Sequence, residues 1–510
     1  MTSRAFLALA ALATAAGCTV GPDFNRPGKP KVDGYTPESL APHTVAADVA
    51  GGAAQNFNPA ADIPGQWWDL YRSTELNGLI EAALKANPDL DAAQASLRQA
   101  YELLYAQQGT LFPTISGNAG ASQQKINGAS FGTPGNPVIF GLTTGSLNIS
   151  YNADLWGGGR RSVEAQAAQA EFQRYQLEAT YLTLTSNVVV AAINLASLRA
   201  QIAATQEVIR ILQDSLRVVQ TQYDLGGASR ADVLVQQTAL TGELALLPPL
   251  QKQLAQQRNA LMTLLGQPPT SDGGQGLELT SLHLPEELPL SLPSQLVDQR
   301  PDVRSAEAQL HTASANIGVA AAAQLPQISI TGLLGAASGG FGNWFLPASG
   351  VWSVGASLAQ TLFDGGQLEH KKKAAVAAFD KAAAQYRSTV LSSFQDVANA
   401  LRALQSDADG LKAAVAAEQT ALATLNLAQQ QYQLGATNYL TLLVSQRAYE
   451  DALLNRVRAQ ALRYSDTAAL FQALGGGWWN RSDVDPKSKG EPSIFWVPPV
   501  QDVKLPRAGR

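Results

Sequence analysis

The feature that most limits what this chain can become is a run of 66 residues, Arg160 to Leu225, without one glycine or proline. It is rich in Ala, Gln, Leu and Glu, which lose little side-chain freedom in a helix. As a single helix it would extend roughly 100 Å at about 1.5 Å per residue. A second such run, Gln367 to Leu434, is interrupted only by Gly410. Helices of this length imply coiled-coil-like packing rather than an ordinary globular core. The apolar positions agree: Leu177, Leu184, Val188, Ala191, Leu195 and Leu198 recur at helical spacing, so one face packs on neighbouring helices.

Each run ends at a glycine: Leu225-Gly226-Gly227-Ala228-Ser229, and Leu434-Gly435-Ala436-Thr437-Asn438. Glycine supplies a left-handed helix terminus, and Ser229 and Asn438 are natural N-caps for returning helices. The first returning helix must kink or restart at Pro248-Pro249, whereas the second, Tyr439 to Leu474, has no proline.

The two runs belong to a duplication. Asn87-Pro88-Asp89-Leu90 and Arg300-Pro301-Asp302-Val303 lie 213 positions apart, as do Phe112-Pro113 and Leu325-Pro326. Leu155-Trp156-Gly157-Gly158-Gly159 answers to Leu362-Phe363-Asp364-Gly365-Gly366, and Tyr223-Asp224-Leu225-Gly226 to Tyr432-Gln433-Leu434-Gly435. Landmarks that keep order and spacing mark two equivalent halves. The expected organisation is a first repeat over 67–266, a linker or equatorial segment over 267–293 rich in Pro, Gly and Leu, a second repeat over 294–475, and a tail over 476–510. Each repeat reads as helix, two strands, very long helix, returning helix.

The strands alternate. In Ser146 to Leu155, Leu147, Ile149, Tyr151 and Ala153 face one way and Asn148, Ser150 and Asn152 the other. Trp352, Val354, Ala356 and Leu358 do the same in the second half, and 114–121 and 327–336 more weakly. This pattern fits outer-membrane strands and equally a half-exposed soluble sheet. Counting separates the two. Four strands cannot close a barrel, and an open edge is not tolerated in lipid. Two copies would give about eight strands and a filled interior; three give twelve and room for a channel. The segments 123–141 and 338–350 would be outward loops. Trp344 and Trp352 suit either a membrane interface or loop packing.

No segment reaches the roughly 18 consecutive apolar residues of a spanning helix. Residues 1–17 read as a signal peptide, with Arg4 before the apolar run Ala5 to Ala16. Small residues lead directly to Cys18, the chain's single cysteine, which is expected to carry lipid at the head of an extended segment over 18–66. Thr19 after it favours the outer membrane.

Other functions find little support. The net charge of −5 offers no basic face for nucleic acid. Four scattered histidines lack metal-ligand spacing, and nothing resembles a nucleophile–base pair. The glycine clusters at 157–159 and 365–366 read as strand-to-helix turns, and Lys371-Lys372-Lys373 as a solvated helix face. No enzyme activity, cofactor or metal is expected.

The motif set then resembles a known family. Cys18-Thr19-Val20-Gly21-Pro22-Asp23-Phe24 with Arg26-Pro27 is similar to the mature start of NodT-type lipoproteins in the TolC-like outer-membrane factor family. Trp67-Trp68, Asn87-Pro88-Asp89-Leu90, Arg300-Pro301-Asp302-Val303, Leu362-Phe363-Asp364-Gly365-Gly366 and Tyr432-Gln433-Leu434-Gly435 resemble further family signatures. The resemblance implies an α+β membrane protein. Its homotrimer makes a twelve-stranded β-barrel in the outer membrane, continued by a long periplasmic α-helical barrel. It implies efflux of small toxic compounds or drugs, with a periplasmic adaptor and an inner-membrane pump of the resistance-nodulation-division type as partners.

By the same resemblance the adaptor meets the tips, Gly226, Gly227, Ser229, Gly435, Ala436 and Asn438, and the gate lies at Leu440, Thr441 and Val444. Relatives often carry aspartate where Val444 stands; with valine there, Leu440 would instead close by excluding water. Asp232 would supply acid, or is simply a first-turn aspartate favoured by the helix dipole. Two other readings are a type I secretion duct and a non-channel periplasmic adaptor or coiled-coil lipoprotein. An adaptor would have one hairpin, and a coiled coil leaves the strands unexplained.

Overall fold

The computed structural model describes residues 19–32, 34–38, 40–59, 61–127, 137–271 and 276–481. The expected signal peptide 1–17, the expected lipidation site Cys18 and the tail beyond 481 fall outside the described residues. In chain order come β1 (Asn56–Asn58), a 3-10 turn (Trp67–Tyr71), α1 (Thr74–Ala86), α2 (Pro88–Gly109), β2 (Thr114–Ile126), β3 (Val138–Ala153) and α3 (Gly158–Asp224). Then follow α4 (Arg230–Leu244), α5 (Leu247–Leu264), β4 (Glu287–Pro289), α6 (Pro293–Gln299) and α7 (Pro301–Ala322). The chain closes with β5 (Gln327–Ser338), β6 (Gly350–Ala359), α8 (Gln367–Gln433) and α9 (Tyr439–Ala473).

Both long runs are single helices of 67 residues. Aspartates start them. Asp154 accepts the N–H groups of Gly159 and Arg160, each at 2.9 Å, and Asp364 accepts those of Gly366 and Leu368, each at 2.8 Å. These bonds satisfy orphan donors of the first turn; Gly157 and Gly365-Gly366, all at positive φ, are the turns, while Gly158-Gly159 already open α3. The two prolines act as expected: α4 ends at Leu244, and α5 restarts with Pro248 in its first turn, where its missing N–H costs nothing. In α3 one window has a mean hydropathy of 1.5, yet 56% of it is buried within the protein, so its apolar face is core.

The chain divides into two compact units. The first comprises Met1–Pro27, Leu97–Gln173 and Ser305–Arg387. It holds an antiparallel sheet in the order β2-β3-β5-β6. The strands are longer than their side-chain alternation suggested: Gln123–Ile126 pair with Gly141–Val138, inside the segment expected as a loop. The ladder is made by backbone groups, so polar side chains do not end it. In the same unit the post-cysteine segment is strapped down. Asp23 meets Arg161 at 2.6 Å, Arg26 meets Glu307 at 2.9 Å, and Phe24 stacks on His311 at 4.3 Å between ring centroids. Gly21 has φ +95°, and a Cβ there would lie 2.4 Å from the Cα of Gly318, so both glycines are required for the close approach.

The second unit comprises Gly28–Ser96, Arg174–Arg304 and Ser388–Arg510. Its core gathers Trp67, Tyr71, Leu76, Ile80, Tyr464 and Phe471, all nearly inaccessible. The Tyr71 hydroxyl donates to the Tyr464 carbonyl at 2.8 Å, and the Tyr464 hydroxyl to that of Leu282 at 2.9 Å. The segment expected as a linker is packed structure: Leu277, Leu279, Leu282, Leu284 and Leu288 are buried, and β4 pairs in parallel with β1. Its leucines lack a regular period, which hid this. The start of the expected tail is also tied down, with the Trp478 indole donating to the Gln299 carbonyl at 2.6 Å.

Candidate functional site

Two regions carry the chemistry, the helical tip of the second unit and the sheet of the first. At the tip, α3 ends with Gly226 at φ +82° and Gly227 N–H donating to the Gln222 carbonyl at 2.7 Å. The second hairpin repeats this with Gly435 at φ +70° and Ala436 N–H to the Gln431 carbonyl at 2.8 Å. A side chain at either glycine would be strained in this left-handed conformation. Gly226, Gly227, Ser229, Gly435, Ala436 and Asn438 are all exposed. So are Leu225 and Leu434, each 83% accessible.

Behind the turns the two hairpins are joined. Val219, Val233, Leu425, Ala428, Tyr439 and Leu442 form one apolar cluster. The Tyr432 hydroxyl donates to Gln222 Oε1 at 2.8 Å, and Gln446 Nε2 to Ser215 Oγ at 2.8 Å. Tyr432 and Tyr439 meet edge to face at 5.7 Å. Burial, then the neighbouring Tyr432 and Asp232, pushes the Tyr439 phenol well above its ordinary value, so it stays neutral.

The expected gate residues separate into two kinds. Leu440 and Val444, one helical turn apart on α9, expose 63% and 59% of their surface. Thr441 and Asp232 are committed to capping. Asn438 Oδ1 accepts the Thr441 N–H and hydroxyl, each at 2.9 Å. Ser229 and Asp232 form a reciprocal capping box, with Asp232 Oδ2 accepting the Ser229 N–H at 2.9 Å. The geometry thus favours the first-turn reading of Asp232. Asn438→Ala should cost about 1 kcal/mol of local helix stability. The check is faster hydrogen exchange in the first turn of α9; exchange unchanged at Thr441 would contradict the capping role.

In the sheet, the register places Gly117, Leu147, Leu334 and Trp352 in one cross-strand row and Ile115, Ile149, Gly332 and Val354 in the next. Partners in an antiparallel row share a face. That face is therefore apolar, and it is uncovered: Trp352 and Val354 are 76% and 77% accessible. The opposite face carries rows such as Asn152, Ser329 and Ser357, with Ser329 and Ser357 hydroxyls 2.7 Å apart; Val138, Phe140, Leu142, Leu333 and Val351 are among its apolar exceptions. Trp344 packs from the β5–β6 loop against Gly145, and its indole donates to Thr143 Oγ1 at 3.0 Å. Its role is loop packing, whereas Trp352 stands free on the apolar face. Among the described residues β2 and β6 each have one neighbour only, so the sheet has two open edges.

Sequence reasoning missed two carboxyl pairs at the interfaces of α9. Glu243 on α4 meets Glu450, and Asp407 on α8 meets Asp466. No motif marks them, because each joins residues far apart in sequence.

Comparison with known proteins gives the context. The family model described as outer membrane efflux protein matches residues 79–267 and 292–476. The chain is 29% identical over 458 residues to the pyoverdine export outer membrane protein OpmQ of Pseudomonas aeruginosa, covering 87% of this chain and 94% of that one. It is 29% identical over 472 residues to the toluene efflux pump outer membrane protein TtgC of Pseudomonas putida, covering 91% and 94%. Among solved structures, that of the outer-membrane channel OprN superposes with a TM-score of 0.81 at 28% identity, covering 90% of this chain and all of the other.

Proposed function

Because the chain belongs to the outer membrane efflux protein family, we propose that three copies form the exit duct of a tripartite pump, passing small toxic organic compounds to the exterior. The chain is an outer-membrane component of an efflux system. What carries the finer reading is the sheet: one apolar face, one polar face and two open edges. In lipid an unpaired edge leaves backbone groups without partners, at several kcal/mol each. Edge β2 of one copy pairing with edge β6 of the next removes every edge at once. Three copies give the twelve strands of a channel, with the apolar face towards lipid and the Ser and Asn face towards water.

The long helices supply the periplasmic conduit, and the exposed tips Gly226 to Ser229 and Gly435 to Asn438 face a periplasmic adaptor. An inner-membrane pump of the resistance-nodulation-division type drives the cargo, so the duct itself performs no reaction. Cys18 carries the lipid anchor. Leu440 and Val444, not Asp232, form the constriction, which closes by dewetting.

The test is conductance of the purified full chain in planar bilayers. A stable trimer with low resting conductance is expected. Leu440→Ser with Val444→Ser should raise that conductance several-fold, and cells carrying the variant should become sensitive to large antibiotics normally kept out. A monomer that seals no channel, or a variant with unchanged conductance, counts against the duct and the gate respectively.

A further inference from the structure

Helix α9 meets its neighbours at two heights through carboxyl pairs that lack a hydrogen-bond donor. Glu243 is 4% exposed, and its Oε1 is buried with no N–H or O–H partner. What it meets is the carboxyl of Glu450 on α9. Asp407 on α8 meets Asp466 on α9, and Asp407 Oδ2 is likewise buried without a donor. Ionised carboxylates offer acceptors only, so two of them attract each other only when one holds a proton. Glu450 and Asp466 lie along the same helix, roughly 24 Å apart at its rise per residue.

We propose that α9 is latched to α4 and α8 by two protons, one shared by Glu243 and Glu450 and one by Asp407 and Asp466, and that losing them loosens the helix that carries the tip at these two heights. The effect on conductance rests on the reading of Leu440 and Val444 as the gate; the latch itself does not.

The surroundings set the charge balance. Glu243 and Glu450 line a cavity of about 280 Å³, whose other charged groups are Arg447 and Asp451 on α9; α3 contributes Val208 and Leu212. With one proton these four charged side chains sum to −1, and without it to −2. Asp407, which meets Asp466, also faces Arg463, which is fully buried, donates one Nη2 bond to the Ala53 carbonyl at 2.9 Å, and leaves Nε and Nη1 without acceptors. With one proton this trio is neutral. The phenols of Tyr71 and Tyr464 lie beside it and stay uncharged, because burial raises both.

Burial first, then the facing carboxylates, pushes Glu243 up to about 8 and Asp407 up to about 7. Both values stand above those of the unfolded chain. The stabilising contribution is therefore complete in acid and disappears as pH rises through these two values. Above them, each interface holds like charges in place of a hydrogen bond.

The full chain in lipid bilayers tests this at about pH 6 and about pH 9, by hydrogen exchange along α9 and by conductance. Glu243→Gln with Asp407→Asn is the comparison, since each amide donates its own hydrogen and does not titrate in this range. In the wild type, α9 exchange normalised for its intrinsic pH dependence should quicken about tenfold at the higher pH, matching at least one pKa unit of coupling. Conductance should rise with it. The double variant should stay slow and closed at both. If it does not assemble, Glu243→Gln alone should remove the rise near Glu450 and leave that near Asp466. A wild type whose normalised exchange does not change, or an amide variant that follows the wild-type profile, overturns the latch. Absence of conductance at every pH would instead count against the duct, with exchange still deciding the latch.

Discussion

Arginine in place of Leu147 together with Leu334 is expected to abolish assembly in the outer membrane, while arginine at Ser146 and Ser353 leaves assembly intact. The two leucines face each other across β3 and β5 on the apolar face, where Leu334 is 64% accessible. If that face meets lipid, each guanidinium must be carried into hydrocarbon at a cost of about 2–4 kcal/mol near the midplane. Two of them rival the whole stability of an ordinary domain. Ser146 and Ser353 lie on the other face, which the duct reading turns towards water, so arginine there adds charge to the lumen. Membrane fractionation and the yield of trimer on mild detergent gels check both halves. Equal tolerance of arginine on the two faces would show that neither meets lipid, and the sheet would then be a soluble one.

Trp67→Ala should be the most damaging single truncation away from the membrane. Trp67 is 1% exposed, stacks on Phe471 of α9 at 5.3 Å and meets Trp68 and Tyr71 edge to face. Removing an indole from such a site costs the transfer energy of the ring and leaves a cavity, about 3–5 kcal/mol together. The loss also removes the one ring stack between the 3-10 turn and Phe471 of α9, leaving the Tyr71–Tyr464 contact to hold the start of the first repeat to the last helix. The expected result is a lower thermal midpoint and rapid proteolysis of the full chain, with Trp67→Phe intermediate. A midpoint within a degree of wild type would mean the cluster is dispensable.

The long helices, the turns that end them and the alternating strands were legible in the sequence. A long run of good helix formers without Gly or Pro between Arg160 and Leu225 favours one unbroken helix, and it extends over Gly158–Asp224. Gly226 and Gly435 announced left-handed termini, and both adopt them. The efflux family was readable from ordered motifs, and the family match over both halves sets aside the adaptor reading. Alternation was weaker evidence. It placed β2 at 114–121, and the strand extends to Ile126, because hydrogen bonding to β3 continues through the polar stretch Ser122 to Lys125.

What the sequence determined by itself is local: helix where nothing breaks a helix, turn where glycine permits positive φ, strand where polarity alternates. These follow from the conformational preferences of neighbouring residues. Only the tertiary structure decided how distant groups meet. It turned the expected linker into buried core, gave Asp232 to a cap, and set Glu243 against Glu450 and Asp407 against Asp466. A carboxylate reads alike in any sequence, and whether it is solvated or faces another acid depends on which helices pack together.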